Sequence, residues 1–269
     1  MRLHILVVLY KTSPGESRTL SSLARAGQED DRLSGRLTVW DNSPVPYGPA
    51  ALDSLDFGQL EVVYRSCPEN APLSLVYNTV LTGMDLDCAV ILDQDSDLPV
   101  DYFSHCRLSL SAQPGVALHL PIVKSHGLVV SPGRLMFFKG KHVKNPQSGL
   151  RKARGMLAIT SGMVLSRRYL QVPRFDERLN LYGIDTKFMI NLADADEGVV
   201  VMPVVLDHDT ALWSDISADA MLFRAKSLVA SWRVVFESRP IASCLASIYA
   251  RFFMAKLAVK YRDVRFLKS

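Results

Sequence analysis

The chain has 269 residues, 48% of them hydrophobic and 22% charged, and a formal net charge of +4. That balance excludes a disordered or low-complexity chain and fits one large α/β domain, with or without an appendage. Its four cysteines (Cys67, Cys88, Cys106 and Cys244) are too scattered for a metal knuckle or a redox pair, which suits a reducing cytoplasm.

Residues 3–10 form a continuous apolar run, as buried parallel strands do. The run is too short, and Lys11 and Glu16 follow too closely, for a signal peptide. Helical spacing follows over 17–26, then strands are expected at 37–40 and 60–64, a helix at 73–84, and strands at 88–92 and 116–123. Alternation of this kind predicts a mostly parallel sheet with helices on both faces, whose ligands bind outside the carboxyl ends of the strands. The polar residues Tyr10-Lys11, Asp41-Asn42 and Asp93-Gln94-Asp95 fall at those ends.

Residues 124–154 break the pattern; they are rich in Gly, Pro, Ser and basic residues and read as an irregular or hairpin insertion, with a strand at 135–139. Beyond a loop at 174–181, a helix is expected over 185–193 and a strand over 198–206, ending at Asp207-His208-Asp209. Two helices follow, at 218–238 and 241–260. The second is interrupted by Arg251 and Lys256 and is not read as a membrane span. Residues 221–269 hold ten Lys or Arg against Glu237 and Asp263, so residues 1–220 are left slightly acidic. Aromatic and basic residues interleave along this tail, which suits an anionic membrane surface; packing on the catalytic domain or on a second subunit is the other reading.

Four constellations carry chemistry. In ILDQDS, Asp93 and Asp95 leave a buried strand together, and such paired carboxylates bind hard cations shared with substrate phosphates. Asp41 at its strand end can accept hydrogen bonds from a base or ribose, or simply form an Asx turn. Asp185, near a helix N-terminus, is expected to be held as the anion and to serve as a general base, or else only to cap the helix. His208, flanked by acids, can complete a metal shell with the Asp93–Asp95 pair.

Taken in order, LVVLYK, TVWDNS, NAPLSLVYN, ILDQDS, SGMVLS, FDERLNLYGIDTKF and LDHD resemble the family 2 glycosyltransferases of the GT-A fold. Within that family they look most like bacterial rhamnosyltransferases and their galactofuranosyltransferase relatives. The resemblance implies a domain over 1–214, with a nucleotide-sugar half (1–123) and an acceptor half (124–214), followed by a helical basic segment (215–269). Tyr10 and Asp41 would hold the base, with Gln94 and Asn78 supporting the donor site. Asp93 would meet the ribose and the metal, Asp95 and His208 would bind Mn²⁺ or Mg²⁺, Asp185 would be the catalytic base, and Glu177 would shape the acceptor side. The implied reaction is inverting transfer, with dTDP-L-rhamnose as favoured donor and a glycan or lipid-linked glycan as acceptor, in bacterial surface polysaccharide synthesis. The expected location is cytoplasmic, at the inner face of the membrane, with the C-terminal helices also available for oligomer contacts. A sugar nucleotidyltransferase is disfavoured because the loop after the first strand, Lys11–Gly15, is not Gly-rich. A silent scaffold of the same fold would not need its site residues intact, and nucleic-acid binding by the tail is the least supported partner.

Overall fold

In the computed structural model, residues 1–82, 87–171, 174–208 and 216–268 are described. A large sheet is assembled around β1 (Arg2–Leu9), β2 (Ser34–Asp41), β3 (Gln59–Ser66) and β4 (Cys88–Asp93), all parallel and ordered β3-β2-β1-β4. β1 is buried along seven of its eight residues because both faces are covered. Its side chains alternate: Ile5, Val7 and Leu9 enter one core, while Leu6 and Val8 enter the other. The first core is closed by α1 (Arg18–Glu29) and α3 (Tyr102–Ala112), the second by α2 (Leu73–Leu81) and α4 (Ile184–Asp194).

Past β4 the sheet becomes mixed. β5 (Ser96–Asp97), β6 (Leu118–Ser125), β7 (Leu128–Ser131), β10 (Gly149–Lys152), β12 (Met163–Ser166) and β13 (Gly198–His208) extend it in the order β4-β12-β6-β13-β10, with β7 on β6 and β5 on the end of β13. β12 runs antiparallel to both neighbours, whereas β13 is parallel to β6. The basic segment 124–154 is therefore largely strand. β8 (Gly133–Met136) and β9 (Lys139–Lys141) form a hairpin that pairs with β11 (Met156–Leu157) in a small second sheet. The single strand expected at 135–139 is in fact this turn, with Phe137 at φ 56°. Helix α3 is not legible from the sequence pattern. Its buried residues, Tyr102, Phe103, Cys106 and Leu110, are diluted by serines and an exposed Leu108.

Two helices end the chain, α5 (Ala218–Val235) and α6 (Pro240–Tyr261). They share a small core of Ala225, Met254 and Leu257 with Phe266. The tight α4–α5 approach needs Gly183, at φ 80°, because a Cβ there would lie 2.6 Å from Val235 Cγ2. Read from its charges as no span, α6 is nevertheless long and apolar enough to cross a membrane, with 22 residues and a mean hydropathy of 1.4 in its best window. Only 28% of that window is buried within the protein.

Candidate active site

β1, β2 and β4 end together, with Leu9 paired to Asp41 and Val8 to Asp93. The loop after β4 is tied down from α1. The Ser17 hydroxyl donates to the Gln94 carbonyl at 2.8 Å, the Thr19 hydroxyl donates to the carbonyls of Asp93 and Ser96, and the Ser96 N–H donates back to Thr19 Oγ1 at 2.9 Å. Opposite, the Asp93 N–H donates to Ser161 Oγ at 3.2 Å, and Ser161 and Ser96 hydroxyls lie 2.6 Å apart. These fixed contacts orient the Asp93-Gln94-Asp95 turn without occupying its carboxylates.

His208 reaches this turn through long-range pairing. β5 runs antiparallel to the end of β13, in a register that sets Ser96 against His208. His208 Nδ1 is then 3.0 Å from Ser96 Oγ and 3.2 Å from Asp95 Oδ1. Asp93, Asp95 and His208 each present one ligand atom, and all three atoms lie within 4.8 Å of one another. Two carboxylate oxygens and one imidazole nitrogen form a donor set that suits Mn²⁺ and, less well, Mg²⁺. Burial pushes the Asp93 carboxyl above its ordinary range; His208 opposes the shift, and the negative charges of Asp95 and Asp185 reinforce it. A cation at this point would relieve all three unfavourable effects.

Asp185 stands in the first turn of α4, after the Gly183 N-cap, and accepts the Thr186 N–H at 2.7 Å. The helix terminus alone would hold it in the ordinary or lowered range, as its sequence position implies. Instead, burial outweighs the bonds from Thr186 and raises its pKa. Asp185 and Asp93 also act together on the buried phenol of Tyr77, raising its pKa further after burial itself. The base candidate and the metal candidate therefore share one electrostatic environment.

The remaining expected residues sit nearby in supporting positions. Tyr10 is 41% exposed at the end of β1, and its N–H donates to Gln94 Oε1 at 2.7 Å, so Gln94 fastens the ends of β1 and β4 together. Asp41 is buried. Its Oδ1 accepts the Ser43 N–H at 2.8 Å, and its Oδ2 accepts the Tyr47 N–H at 2.9 Å and the Tyr64 hydroxyl at 2.6 Å. Burial alone would raise its pKa, but these bonds prevail and lower it. The Asx turn is thus present, and Asp41 shapes the 43–47 loop. Asn78 donates to the Phe175 carbonyl and to Glu177 Oε1, both at 2.9 Å, and accepts the Phe175 N–H at 3.2 Å. It clamps the FDE loop onto α2, and Glu177 is held by that clamp. Thr19, Ser96 and Ser161 were missed in the sequence; SGMVLS and ILDQDS contain two of them, but only the fold reveals that they touch.

No protein-family model matches the sequence, and no curated protein matches it. Solved structures do. The chain is similar to S. aureus TarS, with a TM-score of 0.55 and 11% identity, over 87% of this chain and 40% of that one. The same TarS in a 1–349 form gives a TM-score of 0.54 and 11% identity in complex with UDP, covering 87% of this chain and 66% of that one. In complex with UDP-GlcNAc it gives 0.55 and 12%, covering 87% and 67%. This chain thus spans less than half of full TarS. What the likeness establishes is the architecture: a mixed α/β fold with a mostly parallel, curled sheet flanked by helices, as in TarS.

Proposed function

We propose that this protein is a metal-dependent inverting glycosyltransferase that moves a sugar from a nucleoside-diphosphate donor to a glycan or lipid-linked glycan hydroxyl. The observation that carries the reading is the convergence of Asp93, Asp95 and His208 ligand atoms within 4.8 Å at the sheet's carboxyl end, where the charge of Asp185 also acts on Asp93. The likeness to TarS, crystallised with UDP and UDP-GlcNAc, supports a nucleotide sugar as the ligand class. The donor we favour is dTDP-L-rhamnose, on the resemblance of ILDQDS, SGMVLS and FDERLNLYGIDTKF to rhamnosyltransferases.

In this reading Tyr10 and the loop held by Asp41 frame the nucleoside. Asp95, Asp93 and His208 would hold the cation, which when bound neutralises charge on the departing diphosphate. Asp185 accepts the proton of the acceptor hydroxyl as that oxygen attacks the anomeric carbon and the bond to the diphosphate oxygen breaks. A carboxylate with a raised pKa is the stronger base, provided it is ionised at working pH. A single displacement inverts the anomeric centre and requires no enzyme nucleophile. Asn78 holds Glu177 and the FDE loop against the donor half, so that acceptor and donor meet in fixed geometry.

The test is a panel of nucleotide sugars assayed for Mn²⁺-dependent hydrolysis and thermal shift. A response to dTDP-L-rhamnose alone is the expected result. A response to UDP-sugars instead would replace the donor, and none to any nucleotide sugar would leave a silent protein of this fold.

A further inference from the structure

From the surface around α6 we infer that this protein docks onto an anionic lipid bilayer through one continuous face made of α6 and the β8–β9 hairpin. Ile241, Leu245, Ile248, Phe252 and Val259 are between 37% and 79% exposed. At helical spacing they fall within a strip about 60° wide and about 27 Å long. The opposite face of the same helix, Ala242, Ala246, Ala250, Met254 and Leu257, is buried against the protein. A helix packed along one side and apolar along the other lies flat in an interface; it is not free to span.

The hairpin joins this face. Phe138 stacks obliquely on Tyr249 of α6 with centroids 5.4 Å apart, and Lys139 Nζ lies 4.0 Å from the Tyr249 ring centre. That contact leaves Phe137, at the hairpin turn, 66% exposed, and it lines one cleft together with Ile241. Two segments that are far apart in sequence and both basic are thereby merged. Residues 124–154 hold eight Lys or Arg and no acid, and residues 221–269 hold ten against two, in a chain whose total is only +4. Along α6 the apolar strip is flanked by exposed Arg251 on one edge and exposed Lys256 and Lys260 on the other, where long cationic stems reach headgroup phosphates.

Charge selects the occupant. A second copy seated on this face in a two-fold dimer would set one cationic field against an identical one. An anionic bilayer offers both an apolar interior for the strip and phosphates for the rim. The inference does not depend on the transfer reaction, since nucleotide-sugar binding is measured without lipid.

The experiment is flotation of the full chain with phosphatidylcholine vesicles, with and without phosphatidylglycerol, at low and high salt. At least tenfold stronger partitioning into phosphatidylglycerol vesicles, weakened by salt, is expected. Ile248→Ser with Phe252→Ser should reduce it at least tenfold, as should Arg251→Glu with Lys256→Glu, with unfolding midpoints unchanged because these side chains are exposed. Equal partitioning of wild type and both variants would overturn the proposal. So would a dimer in light scattering that the Ile248→Ser, Phe252→Ser pair dissociates.

Discussion

Ser96 and His208 stand directly opposite each other in the β5–β13 ladder, 112 residues apart in sequence, with 3.0 Å between Ser96 Oγ and His208 Nδ1. This pairing delivers the imidazole to Asp95, and Ser96 is in turn held by Ser161 and Thr19. Partners that orient a metal ligand typically contribute about tenfold or more to affinity. Ser96→Ala should therefore weaken Mn²⁺ binding by about tenfold, and Asp95→Asn by more, in calorimetric titrations. Unchanged affinity in Ser96→Ala would mean that the ladder alone positions His208.

Asp185→Asn keeps the shape of the α4 N-terminus, and the amide oxygen can still accept the Thr186 N–H. Donor binding should stay within a few-fold of wild type, while transfer falls by about 10²–10⁴-fold. Loss of donor binding, measured by calorimetry, would make Asp185 a donor contact instead of the base.

Burial first, then the charges of Asp95 and Asp185, raise the Asp93 carboxyl to about 6 against the opposing pull of His208. A carboxyl whose pKa is raised on folding adds stability only at low pH and loses it as pH rises through the folded value. Asp93→Asn should therefore raise the melting temperature of metal-free protein at neutral pH, while abolishing the Mn²⁺-dependent rise seen in wild type. A lower melting temperature without metal would show that the carboxylate is structurally required.

His119 lies at the other end of the stability range. Burial lowers its pKa from 6.5 to about 4, and its Nδ1 is 2.6 Å from Ser109 Oγ. The folded protein holds it neutral where the unfolded chain would protonate, so its contribution is whole above pH 6.5 and is lost as pH falls toward 4. The loss amounts to about 3 kcal/mol. Urea unfolding of His119→Gln should show a shallower fall over that window; the same slope as wild type would assign the acid sensitivity elsewhere, with His4, also lowered to about 4, the next group to test.

Gly183→Ala should destabilise by about 1–3 kcal/mol. Its φ is 80°, and the added Cβ would sit 2.6 Å from Val235 Cγ2. Chemical denaturation that shows no change would mean α5 can move off α4 without loss.

The sheet was legible where one local pattern decided the outcome. Residues 5–10 and 88–92 are uninterrupted apolar runs, and β1 and β4 form over them. The acidic turn at Asp93–Asp95 was legible because it ends such a run. What was not legible depends on contacts distant in sequence. Thr19 and Ser161 reach the DQD turn from α1 and from the loop before β12, and nothing in either segment signals that destination. The pKa of Asp185 was expected from its helix terminus, yet burial by neighbouring elements outweighs that local field. Asp41 was read from its strand end as a nucleotide contact or an Asx turn, and its bonds to Ser43, Tyr47 and Tyr64 show what its carboxylate holds. Helix α6 shows the same limit: Arg251 and Lys256 interrupt its composition, but its geometry places them at the edges of an apolar strip.

Nucleotide-sugar binding measured by calorimetry with Mn²⁺ and then with EDTA, in wild type and Asp95→Asn, bears most directly on the metal site. Binding that requires Mn²⁺ in wild type and disappears in Asp95→Asn is the expected result. Tight binding in EDTA, equal in both proteins, would contradict a cation held by Asp93, Asp95 and His208.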